Sequence, residues 1–386
     1  MSKIKVNSLE GVGASTPAIT IDNASGTCTA NITNNLSNRN KIINGDMSVS
    51  QRNGATVVTG VNTTGYRIDR WTHQIDSINS AFSVSQSTDS PDEFGNSYKI
   101  DVTTADTSLG AAHAHFFRQK IEGSNLQDFA KGTSAAKQFA VSFYVKTNKT
   151  GLYTVELYDI DNNRAISKTF TVADSNWNRY TLIYPADTTG AFGNDNGNSL
   201  VLQFWLSAGS DYTSGTLNTS AWAAATQANR VSSSNVNLGD NTSNEWYLTG
   251  VQLEVGSVAT DFEHRSFADE LRRCQRYYAK YQAGTAYTVF LVTVGYGSNE
   301  TDSRCKFDFV VEMRTHLPSF SYSSGSHFQD MSGKQLNIFL LADNGGSTAF
   351  TSMRTIFSQS FADQGKAYVI RAANNTSAYF EFDTEL

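Results

Sequence analysis

Short runs in which every second residue is apolar constrain this chain more than any other feature. Between residues 39 and 258 they comprise Tyr98, Ile100 and Val102; Phe139, Val141, Phe143 and Val145; Tyr153, Val155 and Leu157; Phe170 and Val172; Tyr180, Leu182 and Tyr184; Leu200, Leu202, Phe204 and Leu206; and Tyr247, Thr249, Val251, Leu253 and Val255. Because successive residues of a strand point to opposite faces, each run has one apolar face. Antiparallel sheets that are covered on one side have this pattern.

Sequences typical of turns separate these runs, at residues 159–163, 194–197 and 237–240. Residues 67–75 are also strand-like in composition, although their alternation is imperfect. Many short strands with no helical periodicity between them indicate a two-sheet sandwich. We therefore predict an all-β fold whose central part, residues 39–258, is an antiparallel jelly-roll sandwich.

Residues 1–38 contain few large apolar side chains and many Gly, Ser, Thr and Asn residues. Such a stretch buries too little surface to offset the entropy lost when it becomes ordered. We expect an extended N-terminal segment that pairs with sister chains or with an attachment partner. A disordered tail is the alternative.

Residues 259–284 break the alternation and are expected to form a linker with one short amphipathic helix. Ser266 and Asp269 have the spacing of a capping box, in which Asp269 accepts from the backbone N–H of Ser266. Phe267, Leu271 and Cys274 fall on one apolar helical stripe, which Tyr278 continues. Alternation returns in residues 285–386, which predict a smaller C-terminal β domain.

The composition argues against several classes of protein. Charged residues make up 17% of the chain and the net charge is −6, whereas a nucleic-acid-binding protein usually has a basic face. The longest apolar stretch is far shorter than the roughly 20 residues that span a bilayer. The first residues lack the apolar core of a signal peptide. We expect no nucleic acid and no membrane insertion, and we expect synthesis in a reducing cytoplasm.

Few residue groups suggest catalysis or metal binding. Three widely separated cysteines, Cys28, Cys274 and Cys305, do not form a disulfide framework or a zinc motif. His113 and His115 lie two apart and can share one face of a strand, but they lack an evident third ligand. The acidic run at 159–163 lacks the glycine and the terminal glutamate of an EF-hand loop. The sequence therefore predicts no catalytic residues, no metal and no cofactor, and leaves a structural calcium open.

Several stretches resemble, in the same order, those of phage tail-fibre and tail-associated structural proteins. They are residues 38–52 (NRNKIINGDMSVSQR), 66–71 (YRIDRW), 119–123 (QKIEG), 141–146 (VSFYVK), 248–256 (LTGVQLEVG), 262–266 (FEHRS), 274–278 (CQRYY) and 378–386 (AYFEFDTEL). Residues 3–9 (KIKVNSL) are similar to the start of marine-phage fibre proteins. The resemblance covers most of residues 38–282 and the C-terminal end.

The resemblance implies a homotrimeric virion tail protein with a carbohydrate-binding-like jelly roll, synthesised in the cytoplasm of a host bacterium. The N-terminal segment would join other tail proteins, and a C-terminal tip would bind a host-surface glycan or an outer-membrane receptor. Two other functions remain open. A purely structural tail or decoration protein would not bind the host. A glycan depolymerase would need a pair of carboxylates and, in most tailspikes, a repeat-built β-helix, for which the sequence has no internal period.

Candidate ligand-binding residues lie on presumed loops of the C-terminal domain, residues 285–386. The flat C–H faces of sugars pack on aromatic rings, while polar neighbours bind the hydroxyls. The candidates are Tyr296, Asn299, Tyr322, His327, Phe328 and Asn344. For each aromatic residue among them, a place in the core or between chains is the alternative.

Overall fold

The computed structural model describes residues 8–9, 19–21, 28–30, 37–297, 302–306, 309–315, 318–331, 333, 335–342, 352–357 and 367–386. This part of the chain is nearly all β, as predicted, and its sheets are antiparallel. Three short N-terminal strands form one small sheet: β1 (Ser8–Leu9), β2 (Ile19–Ile21) and β3 (Cys28–Ala30).

The central unit is a jelly-roll sandwich of two sheets. Its strands are β4 (Val58–Val61), β5 (Gly65–Ile68), β6 (Trp71–Asp76), β7 (Ala81–Ser87), β8 (Ser97–Thr104), β9 (Ala114–Glu122), β10 (Phe139–Thr147), β11 (Gly151–Asp159), β12 (Arg164–Val172), β13 (Asn178–Tyr184), β14 (Asn198–Ala208), β15 (Ala223–Ala224) and β16 (Glu245–Val255). The smaller sheet has the order β13-β10-β16-β8-β7-β4. The larger sheet has the order β15-β12-β11-β14-β9-β6-β5. The chain passes repeatedly from one sheet to the other.

The predicted apolar faces form the core between the two sheets. Phe143 of the smaller sheet packs edge-to-face against Phe204 of the larger one, with ring centroids 4.9 Å apart. Val141 and Leu202 are fully buried in the same cluster. The alternation therefore identified most of the strands that line the core.

Two predicted runs are interrupted in the structure. Residues 67–75 are not one strand but parts of β5 and β6, which turn at Arg70, where φ is +71°. In β16 the register with β10 shifts next to Gly250, so that two residues oppose one. The prediction that Tyr247 and Thr249 share the face of Val251 is therefore wrong.

The predicted linker contains a helix, α2 (Phe267–Gln275), which packs against the sandwich; a single turn, α1 (Ser210–Thr213), precedes it in the chain. Ser266 caps α2 by accepting from Asp269 N (3.2 Å), but Asp269 accepts from the Ser266 hydroxyl (2.6 Å) and not from its backbone N–H. Cys274 is buried as expected, whereas Phe267 is exposed because its position faces away from the sheets.

The C-terminal unit is a second, smaller β structure. Its strands are β17 (Tyr278–Gln282), β18 (Val289–Gly297), β19 (Asp302–Lys306), β20 (Ser319–Tyr322), β21 (Phe328–Asp330), β22 (Leu336–Ala342), β23 (Ser352–Phe357), β24 (Ala367–Ala372) and β25 (Tyr379–Asp383). They form sheets of order β17-β25-β20 and β21-β24-β18-β19-β23-β22. Because β25 pairs with β17, the last strand returns to the sandwich, where Glu385 forms a buried ion pair with Arg70.

Candidate functional site

The six residues predicted from the sequence do not form one site in the described part of the chain. Asn299 and Asn344 lie outside the described residues. Tyr296 lies in β18, in register with Arg304 and Ala367.

The other three candidates are close in sequence: Tyr322 ends β20, His327 lies in the turn that follows, and Phe328 begins β21. Tyr322 is half-buried, and the His327 ring nitrogen Nδ1 is 2.9 Å from Ser323 Oγ. Phe328 has no exposed surface and stacks on Phe380 with ring centroids 4.6 Å apart. Its ring belongs to the C-terminal core, which is the alternative that the sequence left open, and a ligand cannot reach it.

A row of aromatic and charged side chains crosses the outer face of the smaller sheet instead. Lys146 of β10, Tyr247 of β16 and Lys99 of β8 are neighbours in the strand register. Trp177 immediately precedes β13 and lies edge-on to the Tyr247 ring, 6.1 Å between centroids. We call these four residues, with the carboxylates of Asp89, Asp101 and Glu245, the Tyr247 row.

Asp89 fixes the Trp177 end of the row. Its Oδ1 accepts a hydrogen bond from Trp177 Nε1 (2.9 Å), and its Oδ2 accepts one from Lys146 Nζ (2.6 Å). Burial acts to raise the pKa of Asp89, but the two hydrogen bonds and the positive charges of Lys146 and Lys99 together outweigh it and lower the pKa. Asp89 is therefore an ionised acceptor held in place beside a half-buried indole.

Lys99 orders the other end of the row. Its Nζ lies 2.9 Å from Asp101 Oδ1 and 3.3 Å from Glu245 Oε2, and the Tyr247 hydroxyl donates to Glu245 Oε2 (2.9 Å). Burial raises the pKa of Tyr247 to about 12, so its hydroxyl stays protonated at neutral pH. The Lys99 and Lys146 ammonium groups each lie 5.3 Å from the centroid of the Tyr247 ring.

The charged groups of the row are open to solvent. The exposed fractions of the side chains are 25% for Lys99, 27% for Lys146, 35% for Asp101, 36% for Glu245 and 40% for Asp89. Each is thus ordered by a partner and still accessible. A ligand with hydroxyl groups would meet both donors and acceptors here.

Two loops, residues 88–96 and 257–265, cover another part of this face. Phe94 of the first loop packs on Tyr144, with ring centroids 5.3 Å apart. Gln252 Nε2 donates to a backbone carbonyl of the second loop (3.2 Å). The Tyr247 row lies outside these two loops and is open to a ligand from solvent.

Strict alternation along β16 did not predict this site because the strand is interrupted at Gly250. Gly250 has φ +61°, and a Cβ there would lie 2.8 Å from atoms of Phe94 and Tyr144. Because β16 has one extra residue here, the residues before Gly250 face the opposite way from the pattern after it. Trp246 and Leu248 therefore enter the core while Tyr247 lies on the outer face. A glycine inside a strand pattern is the signal that would have indicated a bulge.

His113 and His115, which the sequence places on one strand face, are buried, and so is His73. His115 Nε2 lies 2.6 Å from His73 Nε2, and His113 Nε2 lies 2.8 Å from Ser207 Oγ. Burial lowers the pKa of His73 to about 3 and of His113 to about 4, and it lowers that of His115 as well. We call His73, His113 and His115 the buried histidines.

Asp106, His113 and Ser207 have the residue types of a hydrolase triad, but their arrangement does not support one. Asp106 Oδ2 is 4.0 Å from His113 Nδ1, beyond hydrogen-bonding distance. Ser207 is 1% exposed, so its hydroxyl has no access to a substrate.

The acidic turn at 159–163 contacts the ammonium group of Lys131. Lys131 Nζ is fully buried and lies 2.5 Å from Asp159 Oδ2, 3.1 Å from Asp187 Oδ2 and 2.7 Å from the carbonyl of Gly190. Asn162 also donates to Asp159, through its backbone N–H (3.1 Å) and its side chain. Within the described ranges, no cluster of three or more His, Cys, Asp or Glu side chains is placed to hold a metal ion.

The fold and the row together describe a β-sandwich with one solvent-open sheet face that bears aromatic and charged side chains. No protein-family profile matches the chain, and no curated protein matches it. Across the described residues, no helix has the length and the apolar character that crossing a bilayer requires.

Three solved structures show what the chain is similar to. The enzymatically active domain of bacteriophage CBA120 tailspike protein 4 is 14% identical over 57% of this chain and 22% of that one, with a TM-score of 0.28. The family 11 carbohydrate-binding module of Clostridium thermocellum, in complex with a β-1,3-1,4-mixed-linked tetrasaccharide, is 12% identical (54% and 98% covered, TM-score 0.25). TmCBM61, in complex with β-1,4-galactotriose, is 9% identical (56% and 99% covered, TM-score 0.27). Likenesses at these values do not indicate the function of this chain.

Proposed function

We propose that this chain is a non-enzymatic attachment protein of a phage tail, which holds the particle on its host by binding a surface glycan. The Tyr247 row is the observation that carries the proposal. It combines the half-buried Trp177 ring, packed on the buried Tyr247 ring, with ordered and accessible donors and acceptors on a sheet, a combination suited to glycan binding. The order of motifs that resembles tail-fibre proteins supports the location in a virion tail.

The charges of the row support binding without hydrolysis. Glycoside hydrolysis requires one carboxyl group that stays protonated and a second that is ionised. Asp89 is held ionised by two donors, and the Lys99 ammonium lies beside both Asp101 and Glu245. A proton donor for the leaving group is therefore not provided by this row.

A homotrimer fits the proposal because single glycan contacts are weak. Three copies of one site multiply the effective affinity when they reach the surface together. The three short N-terminal strands contain few large apolar residues, and sister chains or neighbouring tail proteins would supply the surface on which they pack.

The proposal is tested by binding the labelled, purified chain to a panel of bacterial strains. We expect binding to some strains that is lost after periodate oxidation of their surface glycans and kept after protease treatment. Reducing ends should not be released from the isolated glycans. Loss of binding after protease alone would indicate a protein receptor. Failure to bind any strain would favour a purely structural tail protein, and release of reducing ends would indicate a depolymerase. Light scattering of the same sample measures the oligomeric state, and a monomer would refute the proposed trimer.

A further inference from the structure

The chemistry of the Tyr247 row indicates which glycans it selects. Its ionic groups are two ammonium groups, on Lys99 and Lys146, and the three carboxylates of Asp89, Asp101 and Glu245. The row therefore carries one net negative charge while offering several hydrogen-bond partners. An anionic sugar would be repelled by the carboxylates, whereas a neutral sugar would not.

Asp89 and Lys146 form a fixed pair beside the indole. The carboxylate oxygen and the ammonium nitrogen are 2.6 Å apart, and the Trp177 N–H anchors the same carboxylate at 2.9 Å. Each hydroxyl of a sugar donates one hydrogen bond and accepts others. Two adjacent hydroxyls can therefore donate to Asp89 and accept from Lys146, while the C–H face of the ring packs on the exposed part of the indole.

We propose that the Tyr247 row binds a neutral hexopyranose of the host glycan, with Trp177 as the stacking residue and the Asp89–Lys146 pair as the hydroxyl-binding pair. This assignment rests on the proposed function and names its substrate class. Tyr247 stabilises both lysines through cation–π contacts, because each ammonium group lies over its ring. Lys99, with Asp101 and Glu245, extends the polar surface toward a second sugar unit.

The test compares the full chain with two variants on immobilised neutral hexose polymers (glucan, galactan and mannan) and acidic polymers (polygalacturonate and sulfated glycans). Trp177→Ala removes the stacking surface, and we expect at least about a tenfold weaker binding to the neutral glycan. Phe267→Ala is the matched control, since it removes a ring that is 60% exposed on α2, outside the row. We expect this control to bind like the unmodified chain.

A charge variant provides an independent result. Asp101→Asn with Glu245→Gln leaves the indole in place and changes the row from one net negative to one net positive charge. We expect binding to acidic glycans to rise at least fivefold and binding to the neutral glycan to change less. Equal urea midpoints for the variants and the unmodified chain show that folding is intact.

The outcomes separate the site from the function. If the chain binds neutral glycans and Trp177→Ala binds as tightly, the site assignment is wrong while the proposed function stands. If the unmodified chain prefers acidic glycans, the substrate class is wrong. If no glycan of either class is bound and no bacterial strain either, both proposals are refuted.

Discussion

Replacing Lys131 by methionine is the sharpest test of the packing argument, because the lysine is the counterion of a fully buried carboxylate. Lys131 and Asp159 are both 0% exposed at the side chain, with 2.5 Å between Nζ and Oδ2. Methionine has a similar length and fills the space without the charge. Asp187 keeps its ion pair with Arg164 (2.8 Å), so the variant leaves one carboxylate, that of Asp159, without a cation.

The expected loss in the free energy of unfolding is about 3–5 kcal/mol, the usual effect of removing one partner of a buried ion pair. Asn162 still donates to Asp159, which favours the lower end of that range. For a protein whose total stability is about 5–15 kcal/mol, this loss is large. Urea unfolding followed by tryptophan fluorescence measures it, since Trp222 lies 5.4 Å from the Lys131 ammonium.

Two controls isolate the buried charge. Lys149→Met breaks a surface pair with Asp240, whose side chains are 27% and 30% exposed, and should cost less than about 1 kcal/mol. Lys131→Met combined with Asp159→Asn removes both charges and should recover about half of the loss. If Lys131→Met costs no more than Lys149→Met, or if the double variant is the less stable one, the argument is refuted.

Three further predictions concern stability. The unfolded chain binds protons on the buried histidines below about pH 6.5. In the folded chain burial lowers the pKa of His73 to about 3 and of His113 to about 4, and it holds the pKa of His115 well below its usual range. The free energy of unfolding should therefore rise with pH between 5 and 6.5. His115→Gln should lower the slope of this rise by up to about 1.4 kcal/mol per pH unit, measured by urea titrations. Asp69, whose burial raises its pKa to about 7, makes stability fall with pH in the same range. Glu385→Gln leaves the buried Arg70 guanidinium with a neutral partner and should speed proteolysis within residues 285–386 by at least tenfold. Gly250→Ala places a Cβ against two rings at positive φ and should lower the midpoint of thermal unfolding by the equivalent of about 1–3 kcal/mol.

Where burial alone decides the conformation, the sequence was sufficient to predict the structure. Val141, Phe143 and Val145 alternate in the sequence and line the core in the structure. The same reasoning holds for the helix that begins after Ser266, whose hydroxyl caps it as the residue type indicates. These features depend on neighbours in sequence or on one periodicity.

Contacts between distant residues were not predictable in this way. Arg70 adopts a left-handed conformation and pairs with Glu385, which lies 315 residues further along the chain. Phe267 matched the apolar stripe of its helix but is 60% exposed, because the orientation of α2 is set by buried Glu270 and Cys274. The periodicity of a helix identifies its apolar face but does not show which part of that face another element of the fold covers.

The candidate site depends on one residue that does not touch the ligand surface. Without the extra residue at Gly250, strict alternation in β16 would place Tyr247 on the face of Val251, inside the core. The bulge allows the residues of β16 after Gly250 to bury their apolar side chains, while the residues before Gly250 place Tyr247 between Lys99 and Lys146. The bulge that made the prediction for β16 wrong is thus what creates the Tyr247 row. Departures from strict alternation within a sheet are therefore positions where a binding function should be sought.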